Sequence, residues 1–133
     1  MSRPKIKISL SDEKLAYRPG DVLVGQYVID NLGDHKVVAV ESSVIWMTEG
    51  KGEEDIGVQF FDRQKGPFDV RQLQQPRKFS TVLPRSPFSY DGMMIRVRWA
   101  VRVRVFFEVE SQRTEELYFR LGNVSSILGD LSG

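Results

Sequence analysis

Apolar and polar residues alternate along most of this chain. Ile95, Val97, Trp99, Val101, Val103, Val105, Phe107 and Val109 occupy every second position, and Arg96, Arg98, Arg102 and Arg104 stand between them, with Ala100 in the middle. A helix would scatter these side chains around its circumference; a strand sorts them onto two faces. Met93 to Val109 therefore predicts a long strand with one apolar and one basic face. Ser111-Gln112-Arg113 reads as the tip of a hairpin, and Glu115 to Leu121 as the return, with Leu117, Phe119 and Leu121 facing in.

The same period recurs upstream. Ile6, Ile8 and Leu10 alternate with Lys5, Lys7 and Ser9, and Leu15 to Tyr17 reads as a continuation of that strand after a break. Arg18-Pro19-Gly20-Asp21 is a turn, since Pro presets φ and Gly permits positive φ. Asp21 to Ile29 follows as a strand; Gly25 within it signals a bulge or a close backbone approach. After the turn Asn31-Leu32-Gly33-Asp34, Lys36 to Thr48 reads as a strand with Val38, Val40, Val44 and Trp46 on one face and Ser42 interrupting the row. Ile56 to Phe61 and Lys78 to Leu83 are shorter strands. Asp62 to Pro76 is irregular, a loop with room for one helical turn or a short edge strand. Seven to eight strands with turn signals at this spacing predict an all-β, two-sheet, immunoglobulin-like sandwich. The domain is expected to span 1–122, with a short polar tail, 123–133, in which Val124, Ile127 and Leu128 are spaced for one helical turn.

At 133 residues the chain suits one domain with one core. A net charge of +1 gives no global attraction to nucleic acid or anionic membrane. The absence of cysteine removes disulfides, thiolate metal sites and Cys nucleophiles together. No stretch has the length and apolarity of a signal peptide or a membrane-spanning helix, so a soluble, cytoplasmic protein is expected, touching membranes only peripherally.

Two segments carry a resemblance. YRPGDVLVGQYVI, Tyr17 to Ile29, is similar to the Pro-Gly-acidic turn and second strand of the arrestin superfamily, including its retromer-subunit branch. FSTVLP (Phe79 to Pro84) followed by SYDGMMIRVRWAVRVRV (Ser89 to Val105) resembles that family's passage into a long strand. Together they cover about half of the chain. Two departures stand out. Thr81 replaces the second Phe of the family's Phe-x-Phe, and there is room for one sandwich where arrestins have two in tandem. The resemblance implies an arrestin-like sandwich and a non-catalytic scaffold or adaptor role.

Catalytic equipment is sparse. His35 is the only histidine and sits beside a turn, next to Asp34, where a solvated loop residue is the expectation. No nucleophile elbow, phosphate-binding loop or metal-spaced His cluster is present. The carboxylates of EGKGEED, Glu49 to Asp55, lack EF-hand spacing and enclose Lys51, which suits a solvated loop. No cofactor, no metal and no enzyme activity is expected.

Two surfaces remain as candidate binding sites. Arg96, Arg98, Arg102 and Arg104 lie about 6.5–7 Å apart at i, i+2 spacing, a basic stripe of roughly 25 Å. It could take an acidic peptide or a phospholipid headgroup, since guanidinium binds such oxygens bidentately. The first expectation, however, is a solvated face ion-paired across the sheet, with Glu116 on the return strand facing the same way. Nucleic acid is not favoured, for want of outward aromatic residues between the arginines. Phe88 and Tyr90, with Met93, could form an apolar patch at one end of the sandwich. Trp46 and Trp99 read as core, the indole N–H needing an acceptor. The expected partner is another protein, or a second copy joined through an edge strand.

Overall fold

The alternating arginine segment is extended, as its pattern requires: β8 runs over Ile95–Phe107 and lies centrally in the larger of two sheets. The computed structural model describes residues 3–52, 54–109 and 111–122. Its strands are β1 (Lys5–Leu10), β2 (Ala16–Tyr17), β3 (Val22–Asp30), β4 (Val37–Gly50), β5 (Ile56–Lys65), β6 (Arg77–Val82), β7 (Tyr90–Asp91), β8 and β9 (Ser111–Leu121), with a short α-helix, α1 (Val70–Gln74), and a 3-10 turn at Ser11–Glu13. Asp69 caps α1 by accepting the Arg71 N–H at 3.0 Å. The small sheet has the order β1-β3-β6 and the large one β2-β9-β8-β4-β5, with β7 paired to the start of β8. Among the described residues, seven full strands and two of only two residues thus match the expected count and the sandwich.

The inward row of β8 fills the space between the sheets. Trp99 and Val101 pack with Leu23, Val44, Leu83 and Phe119, whereas Val103 and Val105 pack with Tyr27, Ile29, Val40 and Leu73. Ile8 and Phe79 touch both clusters. Ser42 faces inward and is buried, the polar interruption that its strand's pattern showed. The Trp99 indole N–H finds its acceptor in the Pro87 carbonyl at 2.7 Å.

Several sequence expectations are corrected. Leu15 to Tyr17 does not continue β1. Asp12 and Glu13 adopt positive φ (58° and 53°) and turn the chain, so Ala16–Tyr17 crosses to the other sheet and pairs parallel with β9. Val38 is exposed, because an extra residue between Val37 and Ala39 shifts the register against β8 and turns Val37 inward instead. β5 continues four residues past Phe61, to Lys65. β9 begins at Ser111, so the hairpin tip lies before it. Ile95, the first residue of β8, and Val109, in the turn beyond its last, are exposed at the two ends of the apolar row. Gly25 marks a close approach: its pairing with β1 and β3's other neighbour is regular, and a Cβ there would lie 2.4 Å from the Phe79 ring. The tail 123–133 lies outside the described residues.

The turn into β3 closes on a carboxylate. Asp21 accepts the Arg18 backbone N–H at 2.9 Å and the Lys14 ammonium at 3.2 Å, and these hold its pKa below the usual value, the backbone bond first. A depressed folded-state pKa gives stability that is present above the ordinary carboxylate value and lost as pH falls through the folded one. Asp21→Asn is therefore expected to destabilise the chain at neutral pH and to match wild type in acid. Urea unfolding curves at pH 7 and below pH 3 test this; an equal deficit at both would contradict it.

Candidate functional site

The outward face of the large sheet gathers most of the chemistry that the sequence offered. β4 lies along the whole of β8 on one side, while β9 flanks it from Trp99 onward and β7 at its start. Arg102 and Arg104 therefore face β4 and β9, Arg96 faces β4 and β7, and Arg98 is registered against Met47 of β4. Arg102 stands opposite Ser43 and Glu116 and makes contacts of 2.8 and 2.7 Å to one Glu116 oxygen. Arg98 reaches Glu49 at 3.4 Å and lies 3.8 Å over the Tyr118 ring. Arg96 meets Asp91 at 3.0 Å and Glu49 at 4.0 Å. Arg104 differs: the carboxylate opposite it, Glu41, is engaged by Arg63, and the Arg104 Nε is buried without a hydrogen-bond partner. The ladder is thus largely ion-paired. The Tyr118 hydroxyl sits above its ordinary pKa through burial, reinforced by Glu116 and opposed by Arg98.

A partly buried pair with two short contacts is worth more than a solvated one, yet such surface pairs seldom exceed about 1 kcal/mol. Glu116→Gln is expected to cost up to about 1 kcal/mol in urea unfolding, and Asp91→Asn less, because its partners are more exposed. A larger loss for Asp91→Asn would reverse that ordering. Between the arginines, Ala100 and Ile45 face each other across β8 and β4 and are buried although they lie on the outer face. Long arginine stems screen small apolar side chains in this way.

The sequence did not single out the feature beside this ladder. β5 is the last strand of the large sheet, and among the described residues no strand pairs with its outer edge. Its outward side chains are Ile56, Val58 and Phe61, which are 57%, 60% and 54% exposed, followed by Arg63 and Lys65. The inward positions explain the orientation. Gly57 lies opposite Trp46 with the indole packed over it, leaving no room for a Cβ, and Phe60 stacks on Phe79 with ring centroids 5.7 Å apart. A register shift at Gln59 turns Phe60 inward and Phe61 outward, and the Gln59 amide donates to the Val82 carbonyl on β6 at 3.0 Å. The signal was present as a glycine facing a tryptophan across a predicted hairpin. It was hidden by the extra residue that breaks the alternation.

The other candidate residues fall elsewhere. Phe88 and Tyr90 are exposed at the β7–β8 end, beside exposed Met93, Met94 and Ile95. A groove of about 700 Å³ runs nearby between β2, β9 and the start of β8, walled by Arg96, Arg98, Arg120 and Asp91 over a floor that includes Trp99 and Phe119. The structure brings Arg96 and Arg98 to this groove and leaves Arg102 and Arg104 outside its lining. His35 packs at 5.4 Å from the Phe107 ring. Among the described residues no three His, Cys, Asp or Glu side chains converge as metal ligands, and no helix is long and apolar enough to cross a membrane.

Comparison with known proteins places this architecture. No protein-family model and no curated protein sequence matches the chain. The crystal structure of Spo0M, a sporulation control protein from Bacillus subtilis, is similar to it with a TM-score of 0.67 at 15% identity, covering 99% of this chain and 56% of that one. The chain thus spans little more than half the length of that neighbour. With its two sheets, its long central strand and this likeness, the chain has an arrestin-like fold.

Proposed function

We propose that this chain is a non-catalytic protein-interaction domain, and that its working surface is the β5 edge together with the adjoining outer face of the large sheet. The exposure of Ile56, Val58 and Phe61 on an unpaired edge carries this reading. Three apolar side chains in a row beside free backbone N–H and C=O groups are what proteins normally cover or guard. The arrestin-like fold is generally non-catalytic, which agrees with an interaction role. Val58→Asp combined with Phe61→Asp leaves the core untouched, since both side chains point to water. Wild type and this variant, matched for melting temperature, serve as baits in extract from the source cells. A protein retained by wild type and lost by the variant is the expected result; identical retention by both contradicts it.

A second reading rests on Arg104. A guanidinium whose Nε is buried without an acceptor favours an anionic group, such as an acidic side chain or a phospholipid headgroup, arriving at the ladder. Co-sedimentation with phosphatidylserine vesicles that is lost in Arg104→Gln supports it. Equal sedimentation with neutral vesicles removes it.

A further inference from the structure

We infer that the occupant of the β5 edge is an extended segment of another protein, whose outward side chains are acidic beside Lys65 and Arg63 and apolar beside Phe61, Val58 and Ile56. This rests on the reading of β5 as the working surface and adds the chemistry of what it takes.

The first observation is charge. The chain as a whole carries +1. The outer face of the large sheet is more cationic: Arg63, Lys65, Arg120 and the four arginines of β8 against Glu41, Glu49, Asp91 and Glu116. At the β5 end Glu41 is already engaged by Arg63, and among the described residues Lys65 has no ion-pair partner. A strand laid along this edge meets positive charge at one end and apolar surface at the other. Directly opposed cross-strand pairs of opposite charge, or of two apolar groups, stabilise a sheet, and like charges oppose it.

The second observation is register, and it argues against a second copy. Residues facing each other across an antiparallel pair share one face of the sheet. Self-pairing of β5 about a two-fold axis must therefore centre on a residue. Centring on Asp62 sets Asp62 against Asp62, and centring on Arg63 sets Arg63 against Arg63. Centring on Phe61 meets the irregularity at Gln59 within two positions. The edge resists its own copy by charge and by its bulge, two of the ways in which proteins protect open edges. The charge does not oppose a strand of opposite sign, and a single regular strand can pass the extra residue at Gln59 as β4 does on the other side, where Ser43 and Ile45 face Phe61 and Val58.

Main-chain hydrogen bonds along the edge would supply affinity and the alternate side chains specificity. The test uses a capped, fluorescent nonapeptide in which threonine alternates with two glutamates followed by three valines. One control replaces the glutamates by lysine, and another N-methylates alternate amides to block edge pairing. Anisotropy titrations are expected to show the glutamate peptide binding wild type about fivefold or more tighter than the lysine peptide, since an attractive exposed pair with Lys65 becomes a repulsive one while Arg63 stays shared with Glu41. The methylated peptide is expected not to bind. Lys65→Glu, an exposed substitution, is expected to remove most of the preference for glutamate. Equal affinity for the glutamate and lysine peptides, or a preference indifferent to Lys65→Glu, would overturn the inference. So would self-association through β5, seen as a dimer by sedimentation that Val58→Asp dissolves. If the peptide preference is absent while the Val58→Asp, Phe61→Asp variant still loses a native partner, the acidic strand fails and the surface stands. If neither contrast appears, both fail.

Discussion

Trp99→Ala is expected to cost about 3–5 kcal/mol of unfolding free energy, the range for removing a large aromatic side chain from a packed core. Trp99 is fully buried in the middle of β8, between Phe119 across β9 and Trp46 across β4, with its ring 5.8 Å from that of Phe119. The substitution leaves a cavity where the two sheets meet and strands the Pro87 carbonyl, which loses its donor at 2.7 Å. Trp99→Phe separates these effects. It keeps most of the apolar volume and removes the hydrogen bond, so its cost should fall to about 1–3 kcal/mol. Urea unfolding at pH 7 gives both numbers. A loss below about 1 kcal/mol for Trp99→Ala would mean that this side chain does not lie between two layers, and the sandwich would be wrong.

Gly50→Ala is expected to be nearly as severe, at about 2–4 kcal/mol, from backbone conformation and collision together. Gly50 ends β4 opposite Ile95 with φ at +139°, and an added Cβ would lie 2.0 Å from the Met94 carbonyl oxygen. That oxygen belongs to backbone, which also accepts the Lys51 N–H at 3.2 Å, so it cannot move aside as a side-chain tip could. Gly52 is the control. It also has positive φ, +110°, yet nothing lies within 4 Å of its missing Cβ. Gly52→Ala therefore carries only the conformational cost, about 1 kcal/mol. Thermal unfolding of the two variants side by side tests this; equal losses would mean that the hairpin and the start of β8 are not held together as described.

The sandwich was legible in the sequence because one face of each central strand is buried, and burial on one face writes itself as alternation. β8 is the clearest case: Val101, Val103 and Val105 are fully buried, and the arginines between them are not. The Arg102–Glu116 pair followed from the same parity, since two strands joined by a short hairpin fix which positions face outward. What parity cannot carry is an inserted residue or a change of sheet. Val38 looked like core because nothing in a run of valines marks which one is extra. Leu15 to Tyr17 looked like more of β1 because the positive φ values of Asp12 and Glu13 have no residue signature as strong as glycine's.

The candidate site was legible only in part, for a related reason. The partners of Arg96 and Arg98 include Glu49, whose place depends on the β4–β8 register across forty-odd residues of chain. Ile56, Val58 and Phe61 look like core by composition. They face water because β5 closes the sheet, and because Trp46 and the Phe60–Phe79 stack already fill the space on the other side. Edge position is a property of topology, which no local pattern encodes. Phe88 and Tyr90 are exposed, and the apolar surface beside them extends further, through Met94 and Ile95.

Because the chain has no cysteine, thiol labelling of single-cysteine variants reads both faces directly. Cysteines replacing Val58 and Phe61 should react at nearly the rate of the urea-unfolded chain, one replacing Arg102 more slowly but readily, and one replacing Val103 only as fast as the whole domain unfolds. Free labelling at 103, or protection at 58 and 61 equal to that at 103, would contradict the arrangement of buried and open faces on which the rest depends.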